Sequence, residues 1–272
     1  MLQSVYAQAQ QHIIQFYKEQ YHLFPLLRLL HQFYLFGAGD FFLEFITRVE
    51  NGFLFTPAEI SNGWFQEEFN TCVSRTSLAS HAQFIADHVR LKPLTSLSRF
   101  DIWKTPFFSV EMEDNLRVIF TPAIMAKYEQ IFSILMLLRT QSFDLERIWV
   151  EQGSLAKELE RLRDKTVVGR LKAVLSSFGL LRLQMHSFLA TLQSFYFLHV
   201  VEKYYNGMAA EMQKSERFDD LLRIHTTYVS ELEKCFFTDG KQVGLKSTML
   251  ELLRMTSSIV AVQVDAAMMG DE

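Results

Sequence analysis

Apolar residues recur at helical spacing along most of the chain, and the longest apolar run, Leu183 to Val201, contains no Asp, Glu, Lys, Arg, Pro or Gly. As a helix it presents apolar groups on nearly every side: Met185, Phe188, Leu189 and Leu192 on one stripe, Phe195, Phe197 and Val201 on others. A helix that is apolar all round must be surrounded by protein or by lipid. Gln184, His186, Ser187, Thr191, Gln193, Ser194 and His199 are costly in hydrocarbon, and both flanks continue as charged amphipathic helix. The run therefore predicts the central buried helix of a bundle, with Phe188 and Leu192 in its core.

The other elements follow from the same periodicities. The opening residues carry no charge before Lys18 and interleave Gln with apolar residues, which predicts an amphipathic helix rather than a secretory signal. Leu26, Leu27, Leu29, Leu30 and Phe33 predict a second helix, broken at Gly37-Ala38-Gly39. Asp40 is placed to cap the helix that follows. A phosphate-binding glycine loop is disfavoured there, because only two glycines are present and no strand precedes them. Asn51-Gly52 predicts a turn. Thr56-Pro57-Ala58-Glu59 predicts a capped helix start, with amphipathic helix as far as Arg90. Phe108, Val110 and Met112 alternate with polar residues, and Leu116 to Phe120 follow a turn at Asp114-Asn115. This period-two signal predicts a short hairpin. Thr121-Pro122 opens a long helix running to Trp149. Residues 151–170 mix both signs of charge and predict an exposed helix or a partly ordered connection. Two more helices meet at Ser215 to Asp220, Asp239-Gly240 closes the second, and a final apolar-faced helix ends the chain. The fold class predicted is all-α: a large helical bundle with at most a short β-hairpin near residues 107–120.

Composition narrows the function. The 272 residues are 49% hydrophobic and 21% charged, enough for a large core under a polar surface. Twenty-five Phe must be buried in the fold or at an interface. A net charge of −4 argues against nucleic acid as the main partner. Two cysteines, Cys72 and Cys235, make no disulfide framework. The sequence carries no HExxH, P-loop, GxSxG or CxxC motif. His81 and His88, seven apart, lack metal-pair spacing, and no metal or cofactor is expected. Cys235 beside Phe236-Phe237 reads as a small hydrophobe, and His225 as a hydrogen-bonded core histidine rather than a general base. Nothing in the sequence requires an enzyme.

Four stretches, in order, resemble the C-terminal domain of the gamma-tubulin complex components. Leu35-Phe36-Gly37-Ala38-Gly39-Asp40-Phe41 is similar to a family segment ending Gly-Gln-Gly-Asp-Phe, with Ala38 in place of Gln. Thr121-Pro122, Lys127-Tyr128, Ile131-Phe132, Leu138 and Leu145 fall on the pattern of the second. Leu181-Arg182, Met185, Phe188 and Leu192-Gln193 match the third, where Ala190-Thr191 replace an Asn pair, His199 an acidic residue and Tyr205 a Trp. Phe218-Asp219-Asp220-Leu221-Leu222, His225, Tyr228 and Cys235 carry the fourth.

The resemblance implies that residues 1–272 form one such domain, with 151–178 as a variable connection. It implies an isolated domain or a shortened member, since the family's N-terminal half has no counterpart here. It further implies a scaffold that binds gamma-tubulin and, with other gamma-tubulin complex components, builds the ring template for microtubule nucleation at minus ends. The expected location is the cytoplasm, at microtubule organising centres, without membrane insertion. A helical tethering or scaffold subunit of another cytoplasmic assembly is the alternative. Helix ends where glycine breaks bring polar and aromatic residues together are the expected contact points, which selects Phe36, Gly37, Gly39 and Asp40, with Arg139 and Arg182.

Overall fold

The computed structural model describes residues 2–55, 60–93, 103, 106–161, 165–253 and 255. The helix start expected at 56–59 and the end of the last helix lie outside them. The described residues are overwhelmingly helical, with α1 Leu2–Glu19, α2 Leu23–Tyr34, α3 Gly39–Phe55, α4 Asn62–Arg75 and α5 Ala82–His88 in the first part of the chain. Two short strands follow, β1 Val89–Leu91 and β2 Phe108–Val110, and then the long helix α6 Pro122–Leu159. Next come α7 Lys165–Ser194, π-helical turns at Phe195–Glu202, α8 Lys203–Lys214 and α9 Phe218–Cys235. Residues 243–253 are helical again. The chain divides into two compact units, Met1–Met136 with Phe197–Gln242 and Leu137–Tyr196 with Val243–Glu272.

The first unit is built on a lattice of aromatic rings. Phe33 from α2 stands 5.5 Å from Phe41 of α3 and 5.3 Å from Phe108 of β2. Phe45 of α3 meets Phe65 of α4 at 5.2 Å and Phe107 at 5.1 Å, and Phe108 meets Phe132 of α6 at 5.4 Å. All of these rings are buried. Most pairs are tilted or edge-to-face, the arrangement that ring quadrupoles favour. Buried Glu50 accepts a 2.7 Å hydrogen bond from Trp103 Nε1 at the edge of the lattice.

Local signals were overridden at several points. Asn51-Gly52 is not a turn, because α3 continues to Phe55. Gly52 lies under the Trp64 indole, where a Cβ would come within 2.5 Å of the ring, so its glycine serves a close helix approach. The strand expected at Phe108 is present, but it pairs with Val89–Leu91, register Leu91 to Phe108, rather than with the segment after Asp114. Residues Asp114–Val118 form a 3₁₀ turn that buries Leu116. The stretch expected to run as helix to Arg90 breaks into a 3₁₀ turn, α5 and β1.

The second unit holds a helical hairpin. Gln193 donates to the Leu138 carbonyl at 2.8 Å, Arg182 lies over the Trp149 ring, and Lys172 pairs with Glu160 at 3.4 Å. These pairs step in opposite directions along α6 and α7, so the two helices run antiparallel. The charged connection of 151–170 is therefore the tip of this hairpin, helical up to Leu159 and again from Lys165.

Leu183 to Val201 is helical but is not the all-round buried core helix expected. Leu189, Tyr196, Val200 and Val201 are buried, whereas Leu183 is 54% exposed, Phe188 43% and Leu198 61%. Lys172, Gly179, Arg182 and Gln193 of α7 meet α6, and buried Leu189 falls on the same side of the helix. Much of the apolar surface of α7 faces away from the protein. Among the described residues, no helix is long and apolar enough to cross a membrane.

The aromatic lattice and the α7 surface respond differently to truncation. Phe132→Ala removes a ring from a closed site and should cost about 3–5 kcal/mol. Phe188→Ala removes a half-exposed ring and should cost less than about 1 kcal/mol. Urea unfolding midpoints at equal m-value measure both, and equal losses would return Phe188 to the core.

Candidate protein-binding surfaces

The turn between α2 and α3 is held from both sides. Phe36 adopts a left-handed backbone (φ 59°), a conformation that costs energy for a bulky residue. Its ring is stacked on Phe42 at 3.9 Å and lies 5.4 Å from Phe132, which fixes it there. The Gly37 N–H donates to the His31 carbonyl at 3.0 Å, and Ala38 N–H to that of Gln32 at 3.3 Å, closing the end of α2. A Cβ at Gly37 would stand 2.3 Å from His31 Nδ1, so only glycine fits. Gly39 faces open space.

Asp40 lies inside the first turn of α3 rather than at the capping position expected, because the helix already begins at Gly39. Its carboxylate accepts from Ser77 N–H at 2.6 Å and Ser77 Oγ at 2.8 Å, tying α3 to the 3₁₀ turn Ser77–His81. Partial burial pushes its pKa up, but the Ser77 donors and the N–H groups of Phe41 and Asp40 itself outweigh that and hold it below the usual range. Of the four expected residues on this turn, Phe36 is buried support, and Gly37, Gly39 and Asp40 form the exposed edge.

The first unit holds two buried histidines, His31 against the turn and His225 on α9. The His31 ring stacks on Tyr205 at 3.9 Å, and burial, with Arg28 nearby, lowers its pKa to about 4. Its Nε2 is 3.4 Å from the Glu202 carboxylate without hydrogen-bond geometry, so at neutral pH the contact is not an ion pair. His225 is fully buried, with Nε2 3.1 Å from the Tyr128 hydroxyl, and burial lowers its pKa to about 4 despite a backbone contact at Ile119. It is the hydrogen-bonded core histidine expected. Burial likewise drives the Cys72 thiol up to about 12, which leaves it unreactive. Among the described residues, no group of three His, Cys, Asp or Glu side chains is placed to hold a metal.

The other two expected residues lie in the second unit. Arg139 is half-buried on α6. Arg182 is half-buried on α7, with its guanidinium 5.9 Å from the centre of the Trp149 ring. The antiparallel register sets Arg182 opposite Trp149 and not opposite Arg139, so the two arginines occupy different levels of the hairpin. The two arginines therefore do not share one site within the hairpin. Sequence reading missed Trp149 itself, an indole 62% exposed beneath an arginine. Exposed Trp and Arg are the residue types that dominate protein interfaces. Only the helix–helix register reveals the pair.

A family model described as "Gamma tubulin complex component C-terminal" matches residues 23–266. The chain is 25% identical over 224 residues to gamma-tubulin complex component 3 of Arabidopsis thaliana, covering 79% of this chain and 26% of that protein. It is 24% identical over 157 residues to a gamma-tubulin complex component 4 homolog of Medicago truncatula, covering 56% of this chain and 21% of that protein. The matched part thus spans about a quarter of the length of these relatives.

Two outcomes follow from the geometry of the first unit. Asp40→Ala should lower the thermal midpoint by a few degrees at pH 7, since about 1–2 kcal/mol of charge-assisted hydrogen bonding is lost. The difference should shrink in acid as Asp40 of the parent protein takes up its proton, and an equal deficit at pH 3 would exclude this role. The histidines act over a different window. Their folded pKa values of about 4 lie below the unfolded value, so they bind fewer protons folded than unfolded between the two. Stability should be full above about pH 6.5 and fall as pH drops through about 4. His225→Gln, which still accepts from Tyr128, should flatten that fall in denaturant midpoints measured against pH. An unchanged slope would contradict the assignment.

Proposed function

Because the chain belongs to the gamma-tubulin complex component family through its C-terminal domain, we propose that it binds gamma-tubulin and helps build the ring template that nucleates microtubules at minus ends. The proposed partners are gamma-tubulin and other gamma-tubulin complex components, and the proposed location is the cytoplasm at microtubule organising centres. The role is that of a scaffold rather than an enzyme, with residues 1–272 acting as one gamma-tubulin-binding domain. The family match over most of the chain carries this reading.

The proposed contacts are the exposed edge of the α2–α3 turn at Gly37, Gly39 and Asp40, supported by buried Phe36, together with Arg139 and Arg182. A rigid turn is a good recognition element because little ordering entropy is lost when a partner docks. The aromatic lattice fixes the turn from below, and the Asp40–Ser77 hydrogen bonds fix it from the side. Arg182 over the exposed Trp149 ring offers a cation and an aromatic face side by side.

Size-exclusion chromatography with purified gamma-tubulin tests the reading. The chain should co-elute at micromolar concentrations. Arg139→Glu or Arg182→Glu should weaken binding at least tenfold without moving the thermal midpoint. Because Arg182 is half-buried, Arg182→Gln serves as a second variant that avoids placing an acid there. Absence of association by the intact chain overturns the function, and binding unchanged in all three variants overturns the arginine contacts.

A further inference from the structure

Leu180 and Leu183 of α7 are exposed singly, but the rest of its exposed apolar surface between Leu171 and Leu192 has a defined register. Leu171, Val174, Leu181 and Phe188 are each 41–54% exposed, and half-buried Phe178, Met185 and Leu192 fall between them. Read along the helix, the seven alternate at spacings of three and four residues from Leu171 to Leu192. That alternation is the seam of a two-helix coiled coil, in which each apolar knob enters a hole made by four residues of a facing helix. The seam that faces α6 is a different one, running through Lys172, Gly179, Arg182 and Gln193. Apolar area of this extent on a helix face marks an interaction surface.

Charge selects the kind of helix that fits. From Lys165 to Val201 the chain carries Lys165, Arg170, Lys172 and Arg182 and not one Asp or Glu, in a protein of net charge −4. Arg170 is exposed and adjoins Leu171 at a position flanking the seam. In coiled coils, charges at flanking positions choose the partner. A second copy of α7 would set cation against cation and supply no acid in either orientation. A lipid surface requires no three-and-four register, whereas a partner helix does.

We infer that the Leu171–Leu192 face of α7 is the docking site for an amphipathic α-helix of another protein, one with an apolar seam of about three heptads and acidic flanking residues. The contact would run for roughly 30 Å at the helical rise of 1.5 Å per residue. This site does not depend on gamma-tubulin binding, and its partner is recognised by a helix face rather than by the α2–α3 turn.

Fluorescence anisotropy with the full chain tests it, using a synthetic four-heptad peptide with Leu at the seam positions and Glu at the flanks. The controls are the same peptide with Lys at the flanks and vesicles of phosphatidylserine and phosphatidylcholine. The acidic peptide should bind at least tenfold more tightly than the lysine peptide, and vesicles should not bind. Leu181→Glu with Phe188→Glu should reduce acidic-peptide binding at least tenfold at an unchanged thermal midpoint. Arg170→Glu should narrow the preference for the acidic peptide, and it decides the matter if the double variant does not fold. Equal affinity for the two peptides, no peptide binding at 100 µM peptide (about −5.5 kcal/mol or weaker), or vesicle binding in place of peptide binding overturns the inference. So does self-association of the chain, seen by light scattering, that the double variant abolishes.

Discussion

The structure depends on ring-to-ring packing in the first unit. Phe33, Phe41, Phe45, Phe65, Phe107, Phe108 and Phe132 come from four helices, a strand and the residue before it, and close one continuous aromatic lattice. Each buried ring removes a large apolar area from water, and the tilted contacts add a directional preference that aliphatic side chains lack. Such a lattice fixes where its helices end as well as how they cross. The left-handed backbone at Phe36 persists because its ring is stacked on Phe42, and Gly37 is glycine because the His31 ring occupies the space a Cβ would need. Burial that keeps His31 and His225 uncharged belongs to the same constraint, since a charged imidazole in this environment would lose its hydration without a full partner.

The second unit follows a different rule. In its hairpin α7 meets α6 through Lys172, Gly179, Arg182 and Gln193, with buried Leu189 on the same side, while a further apolar stripe is exposed. A helix that is apolar on many sides has two physical solutions: burial within its own chain or burial against another. Leu183 to Val201 takes the first only at Leu189, Tyr196, Val200 and Val201. A rigid aromatic unit joined to a hairpin with an unusually apolar exterior is what a scaffold requires, because rigidity sets geometry and exposed apolar surface offers contact.

Much of the helical fold was legible in the sequence, because periodicity is local. The capped start at Thr121-Pro122, the junction near Ser215 and the buried environment of His225 all follow from neighbours a few residues away. What escaped was set by distant partners. The strand at Phe108 announces itself by alternation, yet its mate Val89–Leu91 lies in a stretch that reads as the end of a helix. Asn51-Gly52 has turn chemistry, but Trp64 needs that glycine inside a helix. The candidate site was legible in part. The glycine-rich turn stood out, whereas the separation of Arg139 from Arg182 and the pairing of Arg182 with Trp149 depend on an antiparallel register that no local pattern encodes.

In the proposed function, a rigid interior presents fixed outer surfaces to gamma-tubulin. Hydrogen–deuterium exchange on the full chain, with and without purified gamma-tubulin, measures this directly. Amides of α2, α3 and the α6 segment through Phe132 should already be slow to exchange in the free protein and change little. New protection should appear at the Gly37–Asp40 turn and in the helical turns carrying Arg139 and Arg182. Protection that appears mainly in the aromatic core would mean that binding orders a loose domain, and that result would contradict the claim.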